Sequence, residues 1–358
     1  MAPTPKRVLV VGLGSMGMSH ALAYTRIDGF AVAGLCERRI AERTLAKALA
    51  GAPRFTNFEE ALAAVKPDVV SINTWSDTHA DYAVKAMEAG AHVFVEKPLA
   101  ETVADAERVI AAALRTKRKL VIGYILRHHP SWIRFIELAR TLGTPLVFRM
   151  NLNQQSSGSA WLAHKRLLET LSPIVDCGVH YVDVWCQITR AKPMSVHAVG
   201  ARLTDDMPKG MYNYGHFELA FDDGSVGWYE AGWGPMMSEA AFFVKDVIGP
   251  KGSVSIVMAE TGGPQAKSAD INTHTKTNQI LFHHADLAPD GSLARPDERL
   301  STLDEPDHDA LCEREQRFLL KAIDEDIDLG DHMSDAVKSL RIVLAADQSV
   351  RTGKVVEL

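Results

Sequence analysis

The sequence predicts an α/β protein with a doubly wound parallel sheet near its N-terminus and a largely antiparallel α+β domain behind it. Strand and helix patterns alternate through the first third of the chain, which favours a parallel sheet. After about Gly123 the pattern changes to strands joined by short turns. The 358 residues exceed what one hydrophobic core usually organises, so two domains are expected, at residues 1–123 and 124–358.

The elements of the first domain follow the spacing of its apolar residues. Strands are predicted at 6–11, 30–36, 68–73, 91–96 and 119–123, and helices from Met16 and at 38–50, 57–65, 78–89 and 102–117. The strands are short, mostly apolar runs, which is typical of strands buried on both faces of a sheet.

The second domain opens with a predicted helix near 130–141 and a predicted strand at 145–153. Phe217, Leu219 and Phe221 then recur at every second position before a glycine-containing turn, as in a hairpin. Residues 244–256 repeat this pattern around a second turn. A helix is predicted at 333–351, and the sequence leaves open on which domain it packs.

The tract 260–309 is polar and irregular, with a short strand predicted at 280–282. Its histidines lack the spacing of metal ligands. They are therefore expected at the surface: His274, His283, His284 and His308.

The overall charge and the cysteines limit the function classes. A net charge of −6 gives no general attraction to nucleic acid or to an anionic membrane. No run approaches the roughly 20 apolar residues that cross a bilayer, and the first apolar run is broken by glycines, unlike an export signal. Four cysteines without CxxC spacing favour buried thiols in a reducing compartment. The expectation is a cytoplasmic protein without a metal.

The first strand runs into the pattern Gly12-Leu13-Gly14-Ser15-Met16-Gly17, a GxGxxG turn that opens a helix. In a dinucleotide site the first glycine allows the sharp turn, the second lets the backbone approach a pyrophosphate, and the third lets helix and strand pack closely. Because such turns also occur without a ligand, the context has to decide between the two interpretations.

Glu37 supplies that context, because it ends the second strand twenty residues beyond Gly17. This fold usually places there the carboxylate that binds the adenosine ribose hydroxyls. A carboxylate repels a 2′-phosphate and favours NAD, but Arg38 follows at once and leaves NADP open.

Two further features carry chemistry. Lys97 ends a strand at the carboxyl edge of the predicted sheet, where open α/β sheets bind ligands. Ser172 can cap a helix whose first residue is Pro173, and this places Asp176 and His180 on one face of that helix. Taken singly, Asp176 is explained by the helix dipole and His180 as a core histidine.

With the triplet Glu96-Lys97-Pro98 the chain resembles the Gfo/Idh/MocA oxidoreductases, the family of glucose-fructose oxidoreductase and inositol dehydrogenase. The resemblance spans nearly the whole chain. Residues 176–183 match the family's DxGxHxxD pattern, and the end of the closing helix, 349–354, is also similar.

The resemblance implies a Rossmann domain, a second domain built on a large, mainly antiparallel open sheet, and bound NAD or NADP. It also implies a sugar, inositol or related cyclic polyol as substrate and a homodimer or homotetramer. The implied cofactor-binding residues are Gly12, Gly14, Ser15, Met16, Gly17, Glu37, Arg38, Thr74, Trp75, His79, Glu96 and Lys97. The implied substrate-binding residues are Lys97, Arg127, Trp161, Lys165, Asp176 and His180.

The family chemistry assigns three catalytic roles. His180 is the general base for the hydroxyl proton, since histidine suits proton transfer near neutral pH. Lys97, reaching in from the other domain, stabilises alkoxide character, and Asp176 orients the sugar or His180. Arg127 has the alternative role of an interdomain ion pair.

Departures from the family pattern leave the substrate open. Trp75 replaces the usual proline of a TPxxxH segment, and Leu171-Ser172-Pro173 stands where many relatives have paired glycines. The alternatives on the same fold are an NAD-dependent glycosidase, an imine- or biliverdin-reducing enzyme, and a nucleotide-sensing regulator without turnover.

Overall fold

The computed structural model describes residues 4–239, 244–257, 267–271, 277–302 and 304–358. The chain forms two compact units, each made of two stretches. The first comprises the described residues of Met1–His128 and Pro306–Val337, and the second those of His129–Glu305 and Lys338–Leu358. The predicted single boundary differs from this division, because residues 124–128 and 306–337 belong to the first unit.

The first unit contains a six-stranded sheet in the order β3-β2-β1-β4-β5-β6, in which every neighbouring pair is parallel. Its strands are β1 Lys6–Val11, β2 Phe30–Cys36, β3 Arg54–Phe55, β4 Val69–Ile72, β5 His92–Val95 and β6 Leu120–Ile122. The intervening helices are α1 Ser15–Arg26, α2 Phe58–Val65, α3 Ser76–Glu88 and α4 Val103–Thr116. The predicted doubly wound α/β sheet is confirmed.

Local side-chain chemistry sets several helix starts in this unit. The side chain of Asn57 accepts a hydrogen bond from the Glu60 amide at the start of α2. Thr102 accepts one from the Asp105 amide at the start of α4, which begins and ends within one residue of the prediction.

The helix predicted at 38–50 is wrong. The structure has two short 3-10 turns there, Ile40–Glu42 and Lys47–Leu49. Within 38–50 only Ile40 and Leu49 are buried. A helix in a protein draws most of its stability from packing one apolar face, and Ile40 and Leu49, nine residues apart, would lie on opposite sides of a helix.

The second unit contains a nine-stranded sheet in the order β14-β13-β12-β11-β7-β10-β9-β8-β15. Its strands are β7 Val147–Gln155, β8 Pro193–Ala201, β9 Tyr214–Phe221, β10 Val226–Gly234, β11 Lys245–Gly249, β12 Gly252–Val257, β13 Gln279–His284, β14 Glu298–Ser301 and β15 Val356–Glu357. All neighbours are antiparallel except β7 and β10. The predicted mainly antiparallel sheet is confirmed, and so is the short strand near 280–282.

Three helices begin in the first part of the second unit: α5 Pro130–Ala139, α6 Gly158–Leu167 and α7 Pro173–Ile188. One face of the sheet packs against α7, where Phe148 and Trp185 stack with ring centroids 5.5 Å apart. Gly227 leaves room for the same indole, since a Cβ there would lie 2.6 Å from the Trp185 ring. The apolar face of α7 is therefore fixed against the sheet.

Two further helices follow the sheet: α8 His308–Asp324, which the sequence reasoning missed, and α9 Gly330–Thr352. Helix α8 belongs to the first unit, where it packs on α1, and the division between the units falls within α9. Within the described ranges, no helix has the length and apolar character needed to cross a membrane.

Candidate active site

The three glycines of the first turn meet different surroundings. Gly12 has φ +81°, and a Cβ there would lie 2.5 Å from the Asn73 carbonyl oxygen. A Cβ at Gly17 would lie 2.0 Å from the Gly12 carbonyl oxygen. A Cβ at Gly14, in contrast, would meet no atom of the described residues within 4 Å. Gly12 and Gly17 are thus required by the fold, whereas Gly14 borders open space.

Helix α1 begins directly behind that open space. Its N-cap is Gly14, where the described residues provide no side-chain cap, and Ser15 is exposed while Met16 is half-buried. The first amides of a helix lack intrahelical partners and carry partial positive charge. This arrangement fits the phosphates of a dinucleotide.

Glu37 follows β2 and reaches back to the glycine turn. Its Oε2 accepts a hydrogen bond of 3.0 Å from the Leu13 amide and lies 3.7 Å from the Arg43 guanidinium. Arg38 is exposed. The predicted ribose carboxylate is therefore held beside the turn, and Arg43 is a neighbouring cation that sequence reasoning missed.

The segment after β4 is held by His79. Its Nδ1 lies 2.7 Å from the Pro98 carbonyl oxygen and its Nε2 lies 3.0 Å from the Thr74 carbonyl oxygen. Burial lowers the pKa of His79, while the contacts with the two carbonyl oxygens act in the opposite direction. The imidazole thus links two loops, whereas the Trp75 side chain is 51% exposed.

Glu96 and Lys97 follow β5 at the carboxyl edge of the parallel sheet. Glu96 is buried, and its Oε1 lies 2.8 Å from His20 Nε2 while its Oε2 accepts a hydrogen bond of 3.2 Å from the Lys97 amide. Lys97 is half-buried. Glu96 therefore faces the interior of the unit and holds the backbone of Lys97 through a hydrogen bond to its amide.

A cluster of three buried side chains lies next to Glu96. His20, Cys312 and Glu315 bring a nitrogen, a sulfur and an oxygen atom within 4.8 Å of one another, the one such group of three among the described residues. Both ring nitrogens of His20 already have hydrogen-bond partners, Glu96 and Gln316. We therefore assign no metal to this group.

Glu315 in this group gives a pH-dependent prediction. Burial, and after it the nearby Glu96 carboxylate, raise the pKa of Glu315 well above its usual value. The stability that comes from the retained proton is complete below the unfolded pKa of about 4.3 and is lost as pH rises through the folded pKa. We expect Glu315→Gln to gain free energy of unfolding relative to wild type between pH 5 and pH 8, measured by urea denaturation.

Glu313→Gln is the matched control for this prediction. Glu313 lies on the same helix, is paired with the Arg317 guanidinium at 2.6 Å, and is partly exposed. It is expected to show no such gain. An identical pH dependence in wild type and Glu315→Gln would show that Glu315 is ionised in the folded protein.

Arg127 contacts a carboxylate within its own unit. Its Nη2 lies 3.0 Å from Asp335 Oδ2, and Asp335 is buried. Both residues belong to the first unit, so this ion pair is not the interdomain pair considered from the sequence. Its role in substrate binding stays a prediction.

Helix α7 carries the predicted catalytic pair of the second unit. Ser172 accepts a hydrogen bond of 3.3 Å from the Val175 amide, and Pro173 occupies the first turn, as predicted from the sequence. Asp176 and His180 lie one turn apart and are both half-buried along a mostly buried helix. The helix thus presents a carboxylate and an imidazole on one accessible face.

Trp161 and Lys165 converge on a residue that sequence reasoning missed. The Trp161 indole donates a 3.2 Å hydrogen bond to Asp206, and Lys165 Nζ lies 2.9 Å from both oxygens of the same carboxylate. The Lys165 ammonium also lies 5.8 Å from the indole centroid. Trp161 and Lys165 thus lie side by side and both contact Asp206, and their role in substrate binding stays a prediction.

Two more side chains beside this region escaped the sequence analysis. His164 lies on α6 and stacks on Trp233 at 4.6 Å with an interplanar angle of 10°, and burial lowers its pKa to about 4. Lys245 is buried with its Nζ 4.4 Å from the Tyr181 ring centroid, and burial lowers its pKa well below the usual value. The helical spacing of 161, 164 and 165 is the signal that points to His164.

The expectation of surface histidines is wrong for two of the four. His284 and His308 are buried, because His284 faces Glu298 Oε1 at 2.6 Å on the neighbouring strand and His308 lies in the first turn of α8. His283 is half-buried, and His274 lies outside the described residues. All four cysteines are free and buried, as expected.

A doubly wound sheet with this glycine turn defines the class of dinucleotide-binding proteins. Comparison with known families narrows the class. Residues 6–124 match the oxidoreductase family with an NAD-binding Rossmann fold, and residues 137–255 match the GFO/IDH/MocA C-terminal domain. The chain belongs to the GFO/IDH/MocA oxidoreductase family, as the resemblance implied, and its first unit carries that family's NAD-binding Rossmann domain.

Individual relatives share less than a third of their aligned residues with this chain. The chain is 31% identical to 4-carboxy-2-hydroxymuconate-6-semialdehyde dehydrogenase of a Sphingobium species, over 44% of this chain and 53% of the relative. It is 29% identical to inositol 2-dehydrogenase of Salmonella typhimurium, over 49% and 52%. The chain thus spans about half the length of these curated relatives. The solved scyllo-inositol dehydrogenase of Lactobacillus casei is similar in fold, with a TM-score of 0.76 at 18% identity over 99% of both chains.

Proposed function

We propose that the protein is an NAD-dependent dehydrogenase that oxidises a secondary alcohol of a sugar, an inositol or a related cyclic polyol, or reduces the corresponding ketone. The observation that carries the proposal is the glycine turn with open space at Gly14 and a carboxylate, Glu37, held beside it. The family membership and the inositol dehydrogenase relative support the substrate class.

NAD, when bound, supplies the acceptor for the hydride. The protein's own residues handle the proton and the charge. We assign to His180 the removal of the hydroxyl proton, and to Lys97 the stabilisation of negative charge on the substrate oxygen. Asp176, one turn from His180, orients the imidazole or a sugar hydroxyl.

The cofactor-facing roles are also proposals. Gly14, Ser15 and Met16 bind the pyrophosphate, and Glu37 binds the ribose hydroxyls. Because their side chains face the interior, Glu96 and His79 act by placing Lys97 and Thr74. Trp75 and Arg38, both exposed, remain available to the cofactor.

The substrate side is assigned to Trp161, Lys165 and Arg127 together with the catalytic residues. We further propose a homodimer or homotetramer in the cytoplasm, with neither nucleic acid nor membrane as a partner. The net charge of −6 supports the absence of nucleic-acid and membrane partners, the four buried thiols support the cytoplasm, and the oligomer rests on the family resemblance.

The proposed activity is tested by a panel of inositols, aldoses, anhydrosugars and glycosides, each with NAD and with NADP, followed at the absorbance of the reduced nicotinamide. We expect turnover with at least one cyclic polyol and a higher kcat/KM with NAD, because Glu37 repels a 2′-phosphate. A strong preference for NADP would mean that Arg38 and Arg43 outweigh Glu37. Release of free sugar from a glycoside would identify the glycosidase alternative, and tight NAD binding without any turnover would identify the regulator.

A further inference from the structure

A chain of hydrogen bonds in the first unit leads from the Tyr24 hydroxyl to the backbone amide of Lys97. The Tyr24 hydroxyl donates to Gln316 Oε1 at 2.5 Å, and Gln316 Nε2 lies 3.0 Å from His20 Nδ1. His20 Nε2 lies 2.8 Å from Glu96 Oε1, and Glu96 Oε2 accepts from the Lys97 amide. The chain therefore joins helices α1 and α8 to the residue that precedes the predicted catalytic lysine.

The donors and acceptors in this chain fix one tautomer of His20. An amide nitrogen can donate a hydrogen bond but cannot accept one, so His20 Nδ1 is the acceptor and its proton lies on Nε2. Nε2 then donates to Glu96. In the reversed chain the Gln316 nitrogen would face the Tyr24 hydroxyl and its oxygen would accept from His20 Nδ1. The 2.5 Å contact of that hydroxyl is in the range of O–H···O hydrogen bonds and shorter than N–H···O bonds, so it places the amide oxygen towards Tyr24.

The remaining groups around His20 are held uncharged. On α8, burial raises the pKa of Cys312 and Glu315 and lowers the pKa of His308. The Phe94 ring, 4.6 Å from the imidazole centroid, closes another side. These neighbours thus add no charge of their own to the contact between His20 and Glu96.

We propose that Gln316, oriented by Tyr24, is a positioning residue for the proposed reaction. It fixes the tautomer of His20 and thereby the charge and orientation of Glu96, which in turn holds the backbone amide of Lys97. The link to turnover rests on the proposed dehydrogenase function. The tautomer of His20 does not rest on that function.

The variant that tests this proposal is Gln316→Glu, which keeps the shape but replaces the donor with an acceptor. When the new carboxyl is ionised, His20 Nδ1 must carry a proton. The imidazole then either becomes a cation or no longer donates from Nε2 to Glu96. We expect kcat to fall roughly 10-fold to 100-fold, with the NAD dissociation constant unchanged within about twofold, since misplaced catalytic groups cost rate more than cofactor affinity. We also expect the pH profile of kcat to gain a titration that is absent from wild type, beside that of the proposed general base.

Gln316→Met removes the polarity without adding a charge, so it should lower kcat without the new titration. Gln348→Glu, an exposed position on α9, is the matched control and should behave as wild type. Circular dichroism establishes that each variant is folded. An unchanged kcat and pH profile in folded Gln316→Glu would overturn the positioning role.

A second measurement needs no substrate. In protein labelled with ¹⁵N-histidine, the His20 signals are identified by their loss in His20→Asn. We expect a protonated Nε2 and an unprotonated Nδ1. An imidazolium signal or the opposite tautomer would overturn the proposed chain. The expected tautomer together with a negative substrate panel would instead reject the dehydrogenase function and leave the chain standing.

Discussion

Lys97→Met and His180→Asn are each expected to lower kcat by about 10³-fold while the NAD dissociation constant stays within about threefold. In the proposed function Lys97 stabilises charge on the substrate oxygen and His180 takes the proton. Neither group is assigned to the pyrophosphate or the ribose. The measurement is steady-state turnover on the best substrate of the panel, combined with calorimetric titration of NAD.

Two matched variants control for loss of charge or of an imidazole elsewhere. Lys85 forms a surface ion pair with Glu59, and His197 is exposed on β8. Lys85→Met and His197→Asn should therefore keep kcat within about twofold, because exposed ion pairs contribute little to stability. If either catalytic variant keeps near-normal kcat, the role assigned to that residue is wrong.

The sequence predicts the structure correctly where neighbouring residues alone determine the conformation of a short segment. The glycine turn is one case, because two of its glycines are required by backbone atoms a few Å away and the third faces open space. The start of α7 is another, because a capping serine followed by proline determines the first turn locally. The site elements that depend on such local signals were placed correctly.

Features that depend on distant packing were not predictable. Gln316 meets His20 across 296 residues of sequence. The return of residues 306–337 to the first unit has no marker in the local pattern. Because α8 was missed, the buried surroundings of His308 were missed with it, and this residue was expected at the surface.

The predicted helix at 38–50 failed for a related reason. Its residues are mostly good helix formers, but propensity is a weak guide when tertiary packing supplies most of the stability. Pattern reasoning counts apolar residues without knowing what they pack against. The same limit applies to Trp161 and Lys165, whose shared partner Asp206 lies about forty residues further along the chain.

The glycine turn allows cofactor binding to be separated from folding. Gly14→Ala adds a methyl group that meets no described atom within 4 Å, at a backbone φ of −65° that alanine adopts readily. We expect the free protein to melt within about 1 °C of wild type. If the pyrophosphate occupies this space, NAD should bind about 100-fold more weakly, a loss of about 2.7 kcal/mol.

Gly17→Ala should behave in the opposite way, since its methyl group would lie 2.0 Å from the Gly12 carbonyl oxygen. Forcing α1 away from the turn should cost about 3 kcal/mol and lower the melting temperature by about 5–10 °C. Gly51→Ala, also in open space but away from the turn, is the control for both measurements. Unchanged NAD affinity in Gly14→Ala would mean that the coenzyme does not bind over this turn, because the protein itself has no need of a glycine there.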